Sequence, residues 1–262
     1  MRIIVCIKQT LDTEAQIRIS EDGKELRLQE AKTIVNPYDE FAIEEALRIQ
    51  EKAGGEVIIV SFGPDSVKEQ ILRGLAMGAD RGILISSVPF RQSSSLLVAT
   101  VLSKLIEQEK ADLVLCGKQG IDEDNMQVGV MLAELLGWPH VNSVTQLTLS
   151  GPSAHVEREA EGGQIEVYRV ELPAVLGAHK SLNTPRYASL PGIMKAKKKP
   201  LETKTVSDLG LEEAALQQLV QAVAVSYEFP PKKPTGKLFK GGSTESMVAE
   251  VVALLRTEAN VL

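Results

Sequence analysis

Residues 112–117 read DLVLCG, and residues 118–129 that follow read KQGIDEDNMQVG. An apolar run of strand length hands over to a polar loop, which opens a helix marked by Met131, Leu132, Leu135 and Leu136. The run is continuous rather than alternating, as expected of a strand covered on both faces in a parallel sheet. Working outward, 2–8 (RIIVCIK), 56–62 (EVIIVSF) and 82–86 (GILIS) repeat it. Between them lie amphipathic stretches. Phe41, Ala42, Ala46, Leu47 and Ile49 share a face after Asn36-Pro37, with Asp39 and Glu40 suited to a first helical turn. Val67, Ile71, Leu72 and Leu75 mark a helix ending at Gly78, and Leu96, Val98, Val101, Leu102 and Leu105 mark another. Strand and helix in alternation predict an α/β fold: a parallel sheet with right-handed crossovers.

Further along, 140–149, 155–159 and 165–171 read as antiparallel strands with turns at Gly151-Pro152 and Gly162-Gly163. From Leu172 the chain reads as mostly irregular over some forty residues. A short helix over 211–220, a Pro-rich connector (FPPKKPTGK, 229–237) and an amphipathic helix over 244–257 follow. The expectation is a nucleotide-binding domain over 1–185 with added antiparallel strands, and a long C-terminal arm over 186–262 lying on another molecule.

Composition narrows the function. A chain of 262 residues can bury a core without staples, and its net charge of −6 argues against bulk nucleic-acid binding. No apolar run is long enough for a membrane span, and aromatics at 4% leave no stacking platform for single strands. Cys6 and Cys116 are the only cysteines, with no CxxC for zinc or an iron–sulfur cluster. With no signal-like start, they indicate a reducing cytoplasm, or a compartment whose targeting peptide has been removed.

In open parallel sheets a ligand crevice forms past the carboxyl ends of strands where their order reverses. That nominates 8–13 (KQTLDT) and 117–129. Two readings stand side by side. Backbone amides at 125–129 would cradle a phosphate at the helix start; or Asp122, Glu123 and Asp124, which would repel a phosphate, are capping and first-turn residues with no ligand. GxGxxG and GxxxxGK[ST] are absent, so neither a dinucleotide fingerprint nor a Walker loop is present. The stretch 61–66 (SFGPDS) faintly echoes an ATP-pyrophosphatase loop but lacks its glycine pair and reads as a helix cap. His140, His155 and His179 are scattered without a nucleophile or second ligand. The lysines of 195–199 are a phosphate site, a solvated face or a docking strip for an acidic partner.

Residues 172–199 (LPAVLGAHKSLNTPRYASLPGIMKAKKK) resemble the signature of electron transfer flavoprotein beta subunits. NPYDE with AIEEAL (36–47), Gly63-Pro64, LAMGADRGI (75–83), DLVLCGKQGIDED (112–124) and LGWP (136–139) are similar to that family, in its order. The resemblance implies an adenine nucleotide alpha hydrolase-like (Rossmann-like) domain, a heterodimer with an alpha subunit that holds most of the FAD, and an AMP in the crevice. By motif, Cys6, Asn36, Phe62, Asp122, Asp124, Gln127, Val128 and Gly129 would line that pocket, with Lys8, Thr13, Gly117 and Met126 in the same cofactor set. Glu159 would hold the partner's flavin domain. The loop with Arg186, Tyr187 and Leu190, followed by Lys195, Lys197 and Lys198, would meet the partners, Leu190 anchoring acyl-CoA or other dehydrogenases; the other reading buries Leu190 in its own core. No residue is expected to be catalytic, no metal is expected, and electrons would pass to a quinone oxidoreductase or other acceptor. Thr13, where AMP-carrying members have an aromatic, and QVG at 127–129 are similar instead to bifurcating members with a second FAD in this subunit. An ATP-pyrophosphatase-like enzyme and a homodimeric nucleotide-binding stress protein are the alternatives of other classes.

Overall fold

The computed structural model describes residues 1–27, 31–88, 94–220, 224–233 and 235–262. In chain order the elements are β1 (Arg2–Cys6), β2 (Gln9–Leu11), β3 (Thr33–Val35), α1 (Pro37–Ala53), β4 (Glu56–Gly63), α2 (Lys68–Met77), β5 (Arg81–Ser86), α3 (Ser95–Glu109) and β6 (Leu113–Gly117). They continue with α4 (Val128–Leu136), β7 (His140–Ser150), β8 (Ser153–Glu159), β9 (Ile165–Glu171), β10 (Ala174–Ala178), α5 (Leu190–Ala196), β11 (Leu201–Lys204), α6 (Glu213–Gln217) and α7 (Thr244–Thr257). The fold is α/β, a large sheet of order β11-β5-β4-β1-β6-β10-β7-β8-β9 beside a small β2-β3 pair.

The apolar runs form strands because both faces are covered. Ile3 and Val5 point into one core with Ile43 and Leu47 of α1 and Ile71 and Leu75 of α2. Ile4 and Cys6, one residue out of phase, point into the other with Leu97, Val101 and Leu105 of α3 and Leu132 of α4. That period of two is the pleat. Within the large sheet the pairing from β11 through β7 is parallel and β7-β8-β9 run antiparallel. From β1 the chain adds β4 and β5 on one side, then crosses back to lay β6 on the other. The sheet therefore reverses its order between β1 and β6.

Three expectations are corrected. The segment from Leu172 is not irregular: β10 (AVLGA) is wholly buried and inserts parallel between β6 and β7, and β11 pairs with β5 at the opposite edge. Strand β7, read as purely antiparallel, is thus parallel to β10 on one side. Residues 140–150 supply a strand partner that the run 174–178, interrupted by Gly177, does not announce by itself. Over 211–220 the helix is only α6, Glu213–Gln217.

Contacts divide the chain into Met1–Ser226 and Tyr227–Leu262. The first unit thus runs past residue 185, since α5 and β11 belong with the sheet. In the second, the Ser243 hydroxyl caps α7 by accepting from the Ser246 amide, and Lys237 pairs with Glu258 at 2.6 Å. No residue of α7 is buried. Among the described residues no helix is long and apolar enough to cross a membrane.

Candidate functional site: a crevice at the sheet's order reversal

The carboxyl ends of β1 and β6 open into a crevice of about 310 Å³. Cys6, Lys8, Asn36, Phe62, Gly117, Asp122, Met126, Gln127, Val128 and Gly129 line it, all drawn from the expected cofactor set. Thr13 and Asp124 do not. Thr13 is exposed on the loop after β2, and Asp124 turns away to accept from the Gln119 side chain. A second hollow of about 580 Å³ is lined, among the described residues, by Asp12, Gln16, Arg18, Arg27 and Lys32 of the connection between β2 and β3, with no helix start.

The acidic loop does not present three unpaired carboxylates. Lys8 Nζ lies 2.9 Å from Asp122 and 3.1 Å from Glu123. Burial works against that ammonium, but the two carboxylates outweigh it and raise its pKa. Asn125 Nδ2 donates to Glu123 Oε2 and Ser95 Oγ, both at 3.2 Å, fastening the loop to the start of α3. Asp124 and Met126 hold φ of 52° and 55°, left-handed values uncommon without glycine, and these turn the chain into α4. No side chain caps α4, and its first residues Val128 and Gly129 line the crevice, so the helix start offers backbone donors there with the positive end of the helix dipole behind them. Gly129 permits the close seat of α4: a Cβ there would lie 3.2 Å from Cys116 Sγ and 3.3 Å from His140 Nε2. Amide donors, two lysines (Lys8 and Lys118) and an apolar wall of Phe62, Val98 and Leu102 suit a ligand with a phosphate and a flat ring.

Asp39 is the residue that the sequence reading assigned to a helix turn and missed as part of the site. It lines the crevice at 4% exposure, and its carboxylate accepts from the amides of Lys8 (2.7 Å) and Gly117 (2.9 Å) and from Asn36 Nδ2 (2.9 Å). Burial pushes its pKa up to about 7, against the pull of those donors. No local signal marks it, because the amides that converge on it come from the ends of β1 and β6, far apart in sequence. Burial likewise raises both thiols, Cys116 to about 12, so Cys6 and Cys116 are neutral at pH 7. Ser94, Ser95, Val98 and Leu102 were also missed, because nothing in the sequence says that α3 begins at the crevice mouth.

Elsewhere, Tyr187 is 99% and Leu190 80% exposed. Helix α5 lies so close to α2 that a Cβ on Gly192 would come 2.5 Å from the Ala76 carbonyl oxygen. Leu190 stands clear of that seam, with Lys195, Lys197 and Lys198 also exposed. Lys199 instead turns in and donates to the carbonyls of Leu75, Gly78 and Ala79 at the end of α2. Glu159, at the end of β8, sits 3.7 Å from His179 Nε2. Burial lowers the His179 pKa, so the imidazole is neutral at pH 7 and the pair is not ionic.

A family model described as electron transfer flavoprotein domain matches residues 26–209, which include most of these walls. The electron transfer flavoprotein subunit beta of Bradyrhizobium diazoefficiens is 41% identical over 265 residues, covering 100% of both chains. The chain belongs to the electron transfer flavoprotein beta-subunit family. The human subunit beta is 43% identical over 254 residues, covering 96% of each chain, and that of Bacillus subtilis 40% over 263 residues, covering 100% of each. The exposed loop at Leu190 lies within the matched residues and α7 lies beyond them. Among the described residues no group of three His, Cys, Asp or Glu is placed to hold a metal ion.

Proposed function

We propose that this chain is the small subunit of an electron-carrying heterodimer, pairing with an alpha subunit that holds FAD and seating an adenylate, AMP, in its own crevice. FAD supplies the electron chemistry when bound; this chain positions it and performs no bond-making step, so the subunit is a carrier component and not an enzyme by itself. The observation that carries the reading is the crevice at the β1/β6 reversal, found in a chain 40% or more identical over its length to named beta subunits.

Each wall has a part in this. First-turn amides of α4 and Lys8 take the phosphate, Asn36 and Asp39 hold the loops together, and Phe62 and Val98 flank the ring. A volume near 310 Å³ lies at the small end of ligand pockets, which run from about 300 to 1,000 Å³, and favours an adenylate over a second whole FAD. The domain is of the adenine nucleotide alpha hydrolase-like kind, and the arm over 227–262, with α7, embraces the alpha subunit. Leu190 is the apolar anchor for donor dehydrogenases, ringed by Lys195, Lys197 and Lys198, which steer an acidic face. Glu159 meets the flavin domain, and the assembly works in the cytoplasm.

Co-expression with its alpha subunit tests this. A yellow heterodimer whose flavin is reduced by an acyl-CoA dehydrogenase and reoxidised by a quinone oxidoreductase supports it. ATP turnover by the isolated chain, with no affinity for the alpha subunit, defeats it.

A further inference from the structure

At the order reversal the strand ladder pulls two loops apart. The chain leaving β1 is tied outward to β4, the Ile7 amide donating to the Val60 carbonyl at 2.9 Å. The chain leaving β6 is tied the other way to β10, the Lys118 amide donating to the Ala178 carbonyl at 3.0 Å. The β1/β6 register ends at Cys6 and Cys116. Past that point the start of α1 spans the gap. Asp39 Oδ2 accepts from the Lys8 amide, and Oδ1 from the Gly117 amide. Asn36, 1% exposed, adds its own amide to the Lys8 carbonyl (2.8 Å), its Nδ2 to the Gln119 carbonyl (2.9 Å), and its Oδ1 as acceptor for the Ile121 amide (3.2 Å).

A buried carboxylate is a costly way to join two loops. A neutral carboxyl is a poorer match: two backbone amides from different strands and Asn36 Nδ2 converge on this group, and the ionised form meets all three as a pure acceptor with no proton of its own to place. Gly117 completes the arrangement, since a Cβ there would lie 2.3 Å from Asp39 Oδ1.

We propose that Asp39, supported by Asn36, is the positioning residue of the crevice: its carboxylate fixes the spacing of the loops after β1 and β6 and thereby sets how tightly an adenylate is held. The inference rests on the reading that the crevice takes an adenylate. Asp39 acts through Lys8, whose backbone it holds while the Lys8 side chain reaches the acidic loop ahead of α4. The groups around it are the Cys6 thiol and Lys8 ammonium from β1 and its loop and the Cys116 thiol from β6, while Tyr38, whose ring Lys118 overlies, and Glu40 adjoin it on α1. The thiols are neutral, so Lys8 is the charge that favours the carboxylate. Protonating Asp39 places a hydroxyl donor against an amide donor and loosens one loop.

The test is equilibrium dialysis of AMP against the purified heterodimer between pH 6 and 8.5, with adenosine in parallel to remove the ligand's own phosphate ionisation, for the wild type and Asp39→Asn. The wild type is expected to weaken several-fold for both ligands from pH 8 to pH 6. Asp39→Asn is expected to bind about tenfold more weakly at pH 8, the loss of a hydrogen bond to a charged group, and to show no such drop. Binding by Asp39→Asn within about twofold of the wild type, on the same profile, overturns the proposal. If that variant fails to assemble, the wild-type adenosine profile decides alone, and a flat one overturns it. A wild type that binds no adenylate at any pH removes the crevice reading, and the proposal with it.

Discussion

The guanidinium of Arg186 grips both carboxylate oxygens of Glu44, Nε lying 2.8 Å from Oε2 and Nη2 3.0 Å from Oε1. A second fork reaches Glu51, and the Arg186 amide also donates to Glu44. The cation is committed to α1 of its own chain, where it fixes the loop that presents Tyr187 and Leu190. Arg186→Ala leaves the nearly buried Glu44 without its partner and is expected to cost ~1–3 kcal/mol, seen as a lower thermal midpoint. Arg186→Lys should recover only part of this, because an ammonium does not make the double fork. A midpoint unchanged in both variants would show that the loop is held some other way.

Leu190 stands outside the core, so Leu190→Ala should change stability by no more than about 0.5 kcal/mol. Flavin content should be unchanged while the rate of flavin reduction by a donor dehydrogenase falls about tenfold or more, the size of an interface anchor's loss. Loss of flavin with an unaltered rate per flavin would place Leu190 in the subunit interface instead.

Asp39 gives the fold a signed pH dependence. Its pKa is raised from 3.8 to about 7, so between those values the native chain holds a proton that the unfolded chain has released. Its stability contribution is complete below pH 3.8, falls as pH rises toward 7 by on the order of 1.4 kcal/mol per unit, and is level above. Chemical denaturation of the wild type and Asp39→Asn from pH 4.5 to 8.5 reads this as a difference, with the wild type losing ground to the variant up to pH 7. A constant difference across the range would mean that Asp39 titrates normally.

Removing residues 227–262 should leave the nine-stranded unit folded, since its sheet and both cores lie in Met1–Ser226. The shortened chain is expected to retain its far-UV circular dichroism and to lose stable association with the alpha subunit in sedimentation. Undiminished association would remove the arm's assigned role.

How much of this was legible depended on what each residue type announces. The strands at 2–6, 56–63 and 113–117 declared themselves as unbroken apolar runs, and the reversal between β1 and β6 places the ligand end where the polar loop 117–129 begins. Strand β10 did not declare itself, because AVLGA is short and contains a glycine; it becomes a strand only when Leu113–Gly117 and His140–Val144 flank it. Asp39 looked like any acidic residue in a first helical turn. Its role arises from two amides that converge from strands far apart in sequence, which local spacing does not encode. Lys199 and Lys195 read alike as members of one basic run, yet one caps α2 and the other faces solvent.

The most direct measurement is to purify the heterodimer of this chain with its alpha subunit, denature it, and count the released nucleotides by chromatography. One FAD and one AMP per heterodimer is the expected result; two FAD with no adenylate, or no flavin at all, contradicts it.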